Sequence, residues 1–280
     1  MDLATRLRAC LDRWRLQAAR PLDGGFRSKV FACTTADGEE VVLKLTVTLE
    51  EAQAEAAALA CWAHTCAALR LIDVNFNDSA LLMERIRPAT HLPGGDDPVA
   101  VEVAADLLSR LHRVQPGTFR YPELEMIYVS MEDRSRADAA YEQRASGDPA
   151  LGVAGLERLV AARAAVRLLS ASTDQATLLH GDFLDKNLLW DGASYVAIDP
   201  IPSIGDPCSD VGFFAAGHPP ATTILRRASA VAELMGLDPH RAKRWAVVWS
   251  VLQACQAWRV DQADLDACLS SDEFEQLLLQ

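Results

Sequence analysis

At 280 residues, with 50% hydrophobic and 24% charged side chains, the chain is long enough for one large domain or a two-lobed unit, and its composition excludes disorder and favours a soluble globular protein. A formal net charge of −12 argues against a nucleic-acid partner, whose phosphates want a basic surface; it suits a cationic ligand, or solubility alone. Seven scattered cysteines without a CxxC pair argue against a disulfide framework or zinc site, and no apolar run is long enough for a bilayer, so a cytoplasmic protein without a membrane partner is expected.

The first ~86 residues read as strands with one main helix, after an amphipathic N-terminal helix (MDLATRLRACLDRWRL) that is charged throughout and unlike a signal peptide. KVFACTT and EEVVLKLTV form a hairpin around Ala36-Asp37-Gly38. A helix follows, with Thr48 as its cap and Glu51 completing a capping box. SALLMERI is a further strand, ending before Arg87-Pro88. The remainder is mostly helical. Asp97-Pro98 starts a helix whose Val101, Ala104, Ala105, Leu108 and Leu111 share a face, and Asp238-Pro239 starts another with Trp245, Val248, Trp249 and Leu252 as a core stripe.

One segment breaks the hydrophobic pattern. LLHGDFLDKNLLW (178–190) sets six polar or glycine positions between two apolar runs, as a loop pinned at both ends would. NLLW and SYVAID then form a hairpin through Asp191-Gly192, and the second strand ends in Asp199-Pro200, which puts a carboxylate at the mouth of a core. Asp182, Asn187 and Asp199 follow one another at spacings of five and twelve. Asp182 can accept a proton from a hydroxyl. Asn187 and Asp199 offer the oxygen ligands that magnesium prefers, Asn187 without adding a full charge. Lys44 lies within the strand VVLKL, and Glu55 shares a helix face with Ala52, Ala56 and Leu59, where an acid is costly unless paired.

These residues resemble the protein-kinase-like superfamily, and in particular its small-molecule antibiotic kinases of the aminoglycoside/hydroxyurea group. His180, Asp182 and Asn187 match the catalytic loop H-x-D-x-x-x-x-N, and Asp199 the metal-binding Asp beyond it. Gly181 stands where protein kinases carry Arg and is typical of aminoglycoside-kinase-like enzymes. AIDPIPSIGDPCSD replaces D-F-G and looks most like the streptomycin 6-kinase and hydroxyurea-kinase group. The resemblance implies an α+β, bilobal protein-kinase-like fold, with a β-rich N-lobe over residues 1–86 and a mostly helical C-lobe over 87–280. It implies ATP and Mg²⁺ as cofactors, Lys44 paired with Glu55 at the phosphates, and an inter-lobe hinge at LLMERIRP. There Glu84 and Ile86 would read adenine through their backbone, and Met83 would line the pocket. The phosphate-covering loop is the weakest match: DGGFRSKVF is not GxGxxG, although Ser28 or backbone amides there can contact phosphate. His180 is read as a support of the loop in preference to a metal ligand.

The resemblance further implies phosphorylation of a hydroxyl on a small cationic antibiotic by a monomeric enzyme. A streptomycin-like aminoglycoside is favoured; a cationic peptide of the capreomycin or viomycin type and hydroxyurea are the alternatives. A catalytically silent kinase-like binding module and a metal-dependent hydrolase are readings of a different class. Acidic residues between Asp261 and Gln280, with Asp261 and Asp264 one helical turn apart, are candidates for holding the cation, and Glu123, Glu125, Glu132 and Asp133 form a second acidic patch. Asp185 is a further substrate candidate on the loop. Asp210 has two readings, a brace for the loop backbone or a substrate contact.

Overall fold

A computed structural model describes residues 2–22, 28–94, 97–146, 153–254 and 268–280. Helix α1 (Leu3–Trp14) is capped by Asp2, which accepts from Thr5 N, and stops at Arg15 in a left-handed conformation. Strands β1 (Gln17–Leu22), β2 (Lys29–Thr34) and β3 (Glu40–Leu45) lead to α2 (Leu49–Trp62), then β4 (Leu71–Asn75) and β5 (Ala80–Glu84). Together the strands form one antiparallel sheet in the order β1-β2-β3-β5-β4. Alternation decides its two faces. Phe31, Cys33, Val41, Leu43, Leu45, Ala80 and Leu82 face α1, whose Leu7, Leu11 and Trp14 cover them. Arg6 fastens that helix by donating to the carbonyls of Thr46, Asp78 and Ser79. On the other side of the sheet lies α2, opened by the expected capping box between Thr48 and Glu51.

The rest is mostly helical: α3 (Pro98–His112), α4 (Leu124–Ser146), α5 (Val153–Ala171), α6 (Pro207–Ala216), α7 (Ala221–Met235), α8 (Pro239–Ala254) and α9 (Asp272–Leu279). Three of these open on Asp-Pro. Asp97, Asp206 and Asp238 each accept from a backbone N–H two residues on, with the proline at the first helical position where no N–H is needed. Helices α6 and α8 touch closely at Gly212, where a Cβ would lie 2.6 Å from Ala246 N. Trp245 and Trp249 of α8 are buried in this core, as the apolar stripe predicts. Among the described residues no helix is long and apolar enough to cross a membrane, and the described cysteines are free.

Two small sheets hold the polar segment. Strand β6 (Thr90–His91) pairs with β8 (Leu188–Trp190), which pairs with β9 (Tyr195–Ala197); β7 (Thr177–Leu179) pairs with β10 (Ser203–Gly205). Residues 180–187 therefore leave β7 and return as β8, while residues 198–202 run from β9 to β10 beside them. Strands β1 and β4 carry no alternating pattern in the sequence, and the loop containing Ser28 lies between β1 and β2 instead of ahead of the first strand.

Candidate active site

Lys44 and Glu55 meet as their residue types demand. The ammonium is buried and donates to both carboxylate oxygens of Glu55, at 2.7 and 2.6 Å, and to Asp199 Oδ1 at 2.5 Å. Burial alone would depress the lysine pKa, but the two carboxylates outweigh it and hold Lys44 above its usual value, hence fully charged. The same ammonium holds the Asp199 carboxyl below its ordinary value in spite of burial. Asp199 has φ +59°, a left-handed conformation that a non-glycine residue adopts at a cost and that recurs at functional sites.

The loop from β7 is braced from below. Asp210 Oδ2 accepts from His180 N (2.8 Å) and Oδ1 from Gly181 N (2.9 Å), while His112 Nε2 lies 2.9 Å from Oδ2. These partners keep the Asp210 carboxyl ionised well into acid, against the pull of burial. His180 stacks on Trp62 and meets Phe183 edge-on; burial lowers its pKa, so it is neutral at pH 7. Its oxygen accepts from Ile201 N at 2.8 Å, which fixes the two loops side by side. Gly181 is the residue that permits this. It sits at φ +76°, and a Cβ there would fall 2.0 Å from Ile201 O. Gly181→Ala is expected to combine a left-handed penalty of about 1–2 kcal/mol with an overpacking cost of about 1–3 kcal/mol. A thermal melt would register this as a Tm several degrees lower; an unchanged Tm would show that the two loops part without cost.

Asp182 is 5% exposed. Its Oδ2 accepts from Asn187 Nδ2 at 2.8 Å, and Lys186 Nζ stands 4.0 Å away. Its Oδ1 is buried with no hydrogen-bond partner among the described residues. Asn187 engages its amide N–H groups with Asp182, which leaves its own carbonyl oxygen for another partner. A carbonyl oxygen and a carboxylate are the donors a small hard cation takes, so Asn187 and Asp199 fit magnesium by chemistry.

A cavity of about 800 Å³ connects these groups with the helices below. Ser28, Lys44 and Glu55 line it from the sheet side, Asp182, Lys186 and Asp199 from the loops, and faces of α4, α6 and α8 complete it. Met83, Glu84 and Ile86 are not in its lining. Met83 is buried, Ile86 packs against the core, and Glu84 N already donates to Arg70 O. The structure gives Asp185 and Asp210 no face toward the cavity. Asp210 is 1% exposed and engaged in the brace, which leaves the bracing reading and removes the substrate contact. Asp185 is held by a close contact with His218 Nε2 and an ion pair to Arg227, whose guanidinium lies 4.0 Å over the Phe214 ring. Two members of the second acidic patch are paired, Glu132 fully buried against Arg136 and Glu125 facing Arg167, while Glu123 lines the cavity. Asp261 and Asp264 lie outside the described residues. Lys186, which its place on the polar loop puts within reach of a substrate or phosphate, lines the cavity; sequence reasoning missed Gln253, which carries no such signal.

This fold, and the pairing of a buried strand lysine with a helix glutamate and a loop aspartate, are those of a phosphotransferase of the kinase kind. The chain belongs to the aminoglycoside/hydroxyurea antibiotic resistance kinase family, whose model matches residues 13–261. It is 32% identical over 274 residues to a hydroxyurea phosphotransferase of Kitasatospora aureofaciens, covering 94% of this chain and 75% of that protein. It is 29% identical over 250 residues to a streptomycin 6-kinase of Streptomyces griseus, covering 85% and 77%. Among solved structures it is similar to APH(2'')-IIa in a ternary complex with streptomycin and ATP, with a TM-score of 0.57, 17% identity, and 99% and 97% of the two chains covered. That similarity bears on the fold, which is α+β and protein-kinase-like.

Proposed function

We propose that the protein transfers the γ-phosphoryl group of ATP to a hydroxyl of a small antibiotic, with a streptomycin-like cation as the first reading of the acceptor. The observation that carries the chemistry is the unpartnered Asp182 Oδ1, buried beside the Lys44–Glu55–Asp199 chain and opening on one cavity with it. Lys44, fixed by Glu55, holds phosphate oxygens and neutralises their charge. Asn187 and Asp199 would hold magnesium, which would supply charge neutralisation at the phosphates. Asp182 orients the acceptor hydroxyl and takes its proton at Oδ1. Asn187 fixes the carboxylate through Oδ2, and Asp210 fixes the loop that carries both. Ser28 lies where it can add a phosphate contact. Most of the catalytic work is alignment and charge stabilisation, which a preorganised and braced loop provides.

Net charge favours a cationic acceptor by long-range attraction. Hydroxyurea is the second reading, because Glu125 and Glu132 are tied to arginines and are thereby withdrawn from recognition of a cation. An acceptor panel of streptomycin, capreomycin, viomycin and hydroxyurea, incubated with ATP and magnesium and followed by the mass gain of one phosphoryl group, tests the reading. Phosphorylation of streptomycin supports the first acceptor and of hydroxyurea the second. ATP binding without transfer to any of the four would return the chain to a binding module, and nucleotide-independent hydrolysis would remove the kinase chemistry.

A further inference from the structure

Beyond the loops, the cavity runs between a face of α4 and a face of α8. Met126 and Met131 line it from α4, Phe213 from α6, and Trp249, Leu252 and Gln253 from α8. The three α8 residues are spaced i, i+3 and i+4, so they share one side of the helix. Ser130, Arg134 and Ser135 add polar groups from α4. On the α8 side Gln253 is the polar residue beside Trp249 and Leu252, and it is 4% exposed. Its amide Nε2 is buried without a hydrogen-bond partner among the described residues. Its carbonyl end lies toward Gly217, where an added Cβ would sit 3.6 Å from Oε1. A buried amide N–H without an acceptor is costly, and a leucine would fill the same space without that cost.

We propose that Gln253 is a specificity-determining residue of the acceptor site, donating from Nε2 to an uncharged oxygen of the acceptor, a carbonyl or a hydroxyl. The inference rests on the phosphotransferase reading and extends it to the chemistry of the molecule phosphorylated. An ammonium or guanidinium group has no lone pair to take this bond. The donor therefore selects a polar, neutral part of the acceptor, whatever charge the molecule carries elsewhere. A site that hydrogen-bonds one substrate oxygen discriminates strongly against analogues lacking it.

The test compares wild type with Gln253→Leu and Gln253→Glu, using hydroxyurea and streptomycin as probes and measuring KM for acceptor and for ATP separately. Gln253→Glu keeps the side-chain shape and replaces the donor with an acceptor, and the KM for ATP reports whether each variant retains the fold. Both variants are expected to raise KM for the phosphorylated probe by about tenfold or more, with KM for ATP within about twofold of wild type. A lower acceptor KM in Gln253→Glu would overturn the proposal by showing a cation at this point. Unchanged acceptor KM in both variants would reduce Gln253 to a packing residue. A wild-type chain that phosphorylates none of the four acceptors of the panel overturns the functional reading and this inference with it, whereas the first two outcomes leave the functional reading standing.

Discussion

Asp182→Asn is expected to lower kcat by about 10²–10⁴-fold, the usual worth of positioned general-base catalysis, while the chain still folds and binds ATP. The geometry makes this a clean substitution. Oδ2 only accepts, from Asn187 Nδ2, and an asparagine carbonyl oxygen can accept the same bond. Oδ1 has no partner among the described residues, so an amide nitrogen there disrupts no existing contact. The loss falls on proton acceptance from the hydroxyl. Nucleotide titration followed by tryptophan fluorescence, together with turnover, separates the two. Full binding with a kcat within a few-fold of wild type would exclude Asp182 as the base.

Lys44→Met carries the second large effect, and here stability and activity fall together. Removing the ammonium leaves Glu55 buried without a counter-charge, at a cost of about 3–5 kcal/mol. For a chain of this size that is a Tm drop of roughly 10 °C. Asp199, the third member, is partly exposed and regains water more cheaply. The double variant Lys44→Met/Glu55→Leu removes both buried charges. It is expected to recover most of the lost Tm and none of the turnover, because the phosphates still lack their cation. Recovery of activity along with Tm would mean that Lys44 acts only as a packing partner of Glu55.

These pairings differ in how far a sequence reveals them. Glu55 was legible because an acid on an apolar helix face demands a partner, and the helix caps were legible because Thr48, Asp97 and Asp238 act on residues two or three places away. Asp182, Asn187 and Asp199 were legible from spacing within twenty residues. Strands β1 and β4 were not, since each forms an edge of the sheet and is largely exposed, which erases alternation. The role of Asp185 was hidden because Arg227 lies 42 positions away on α7. Glu132 was misread although Arg136 stands at i+4, a spacing that predicts an ion pair. Gln253 was invisible for a simpler reason: a polar residue after an apolar stripe looks like the solvent side of a helix until the facing helix is in place.

Helix α2 carries Glu55, and two turns later it ends in Trp62. That indole donates to Leu111 O and stacks on His180, the first residue of the braced loop. The lysine's partner and the loop that carries Asp182 are thus joined by one helix and one ring contact. Withdrawing Glu55 from Lys44 by swinging or sliding α2 would require pulling Trp62 off His180 and breaking its bond to α3. A displacement of α2 large enough to part Glu55 from Lys44 would therefore also disturb the segment that carries Asp182, so the lysine pair and that segment keep their places together.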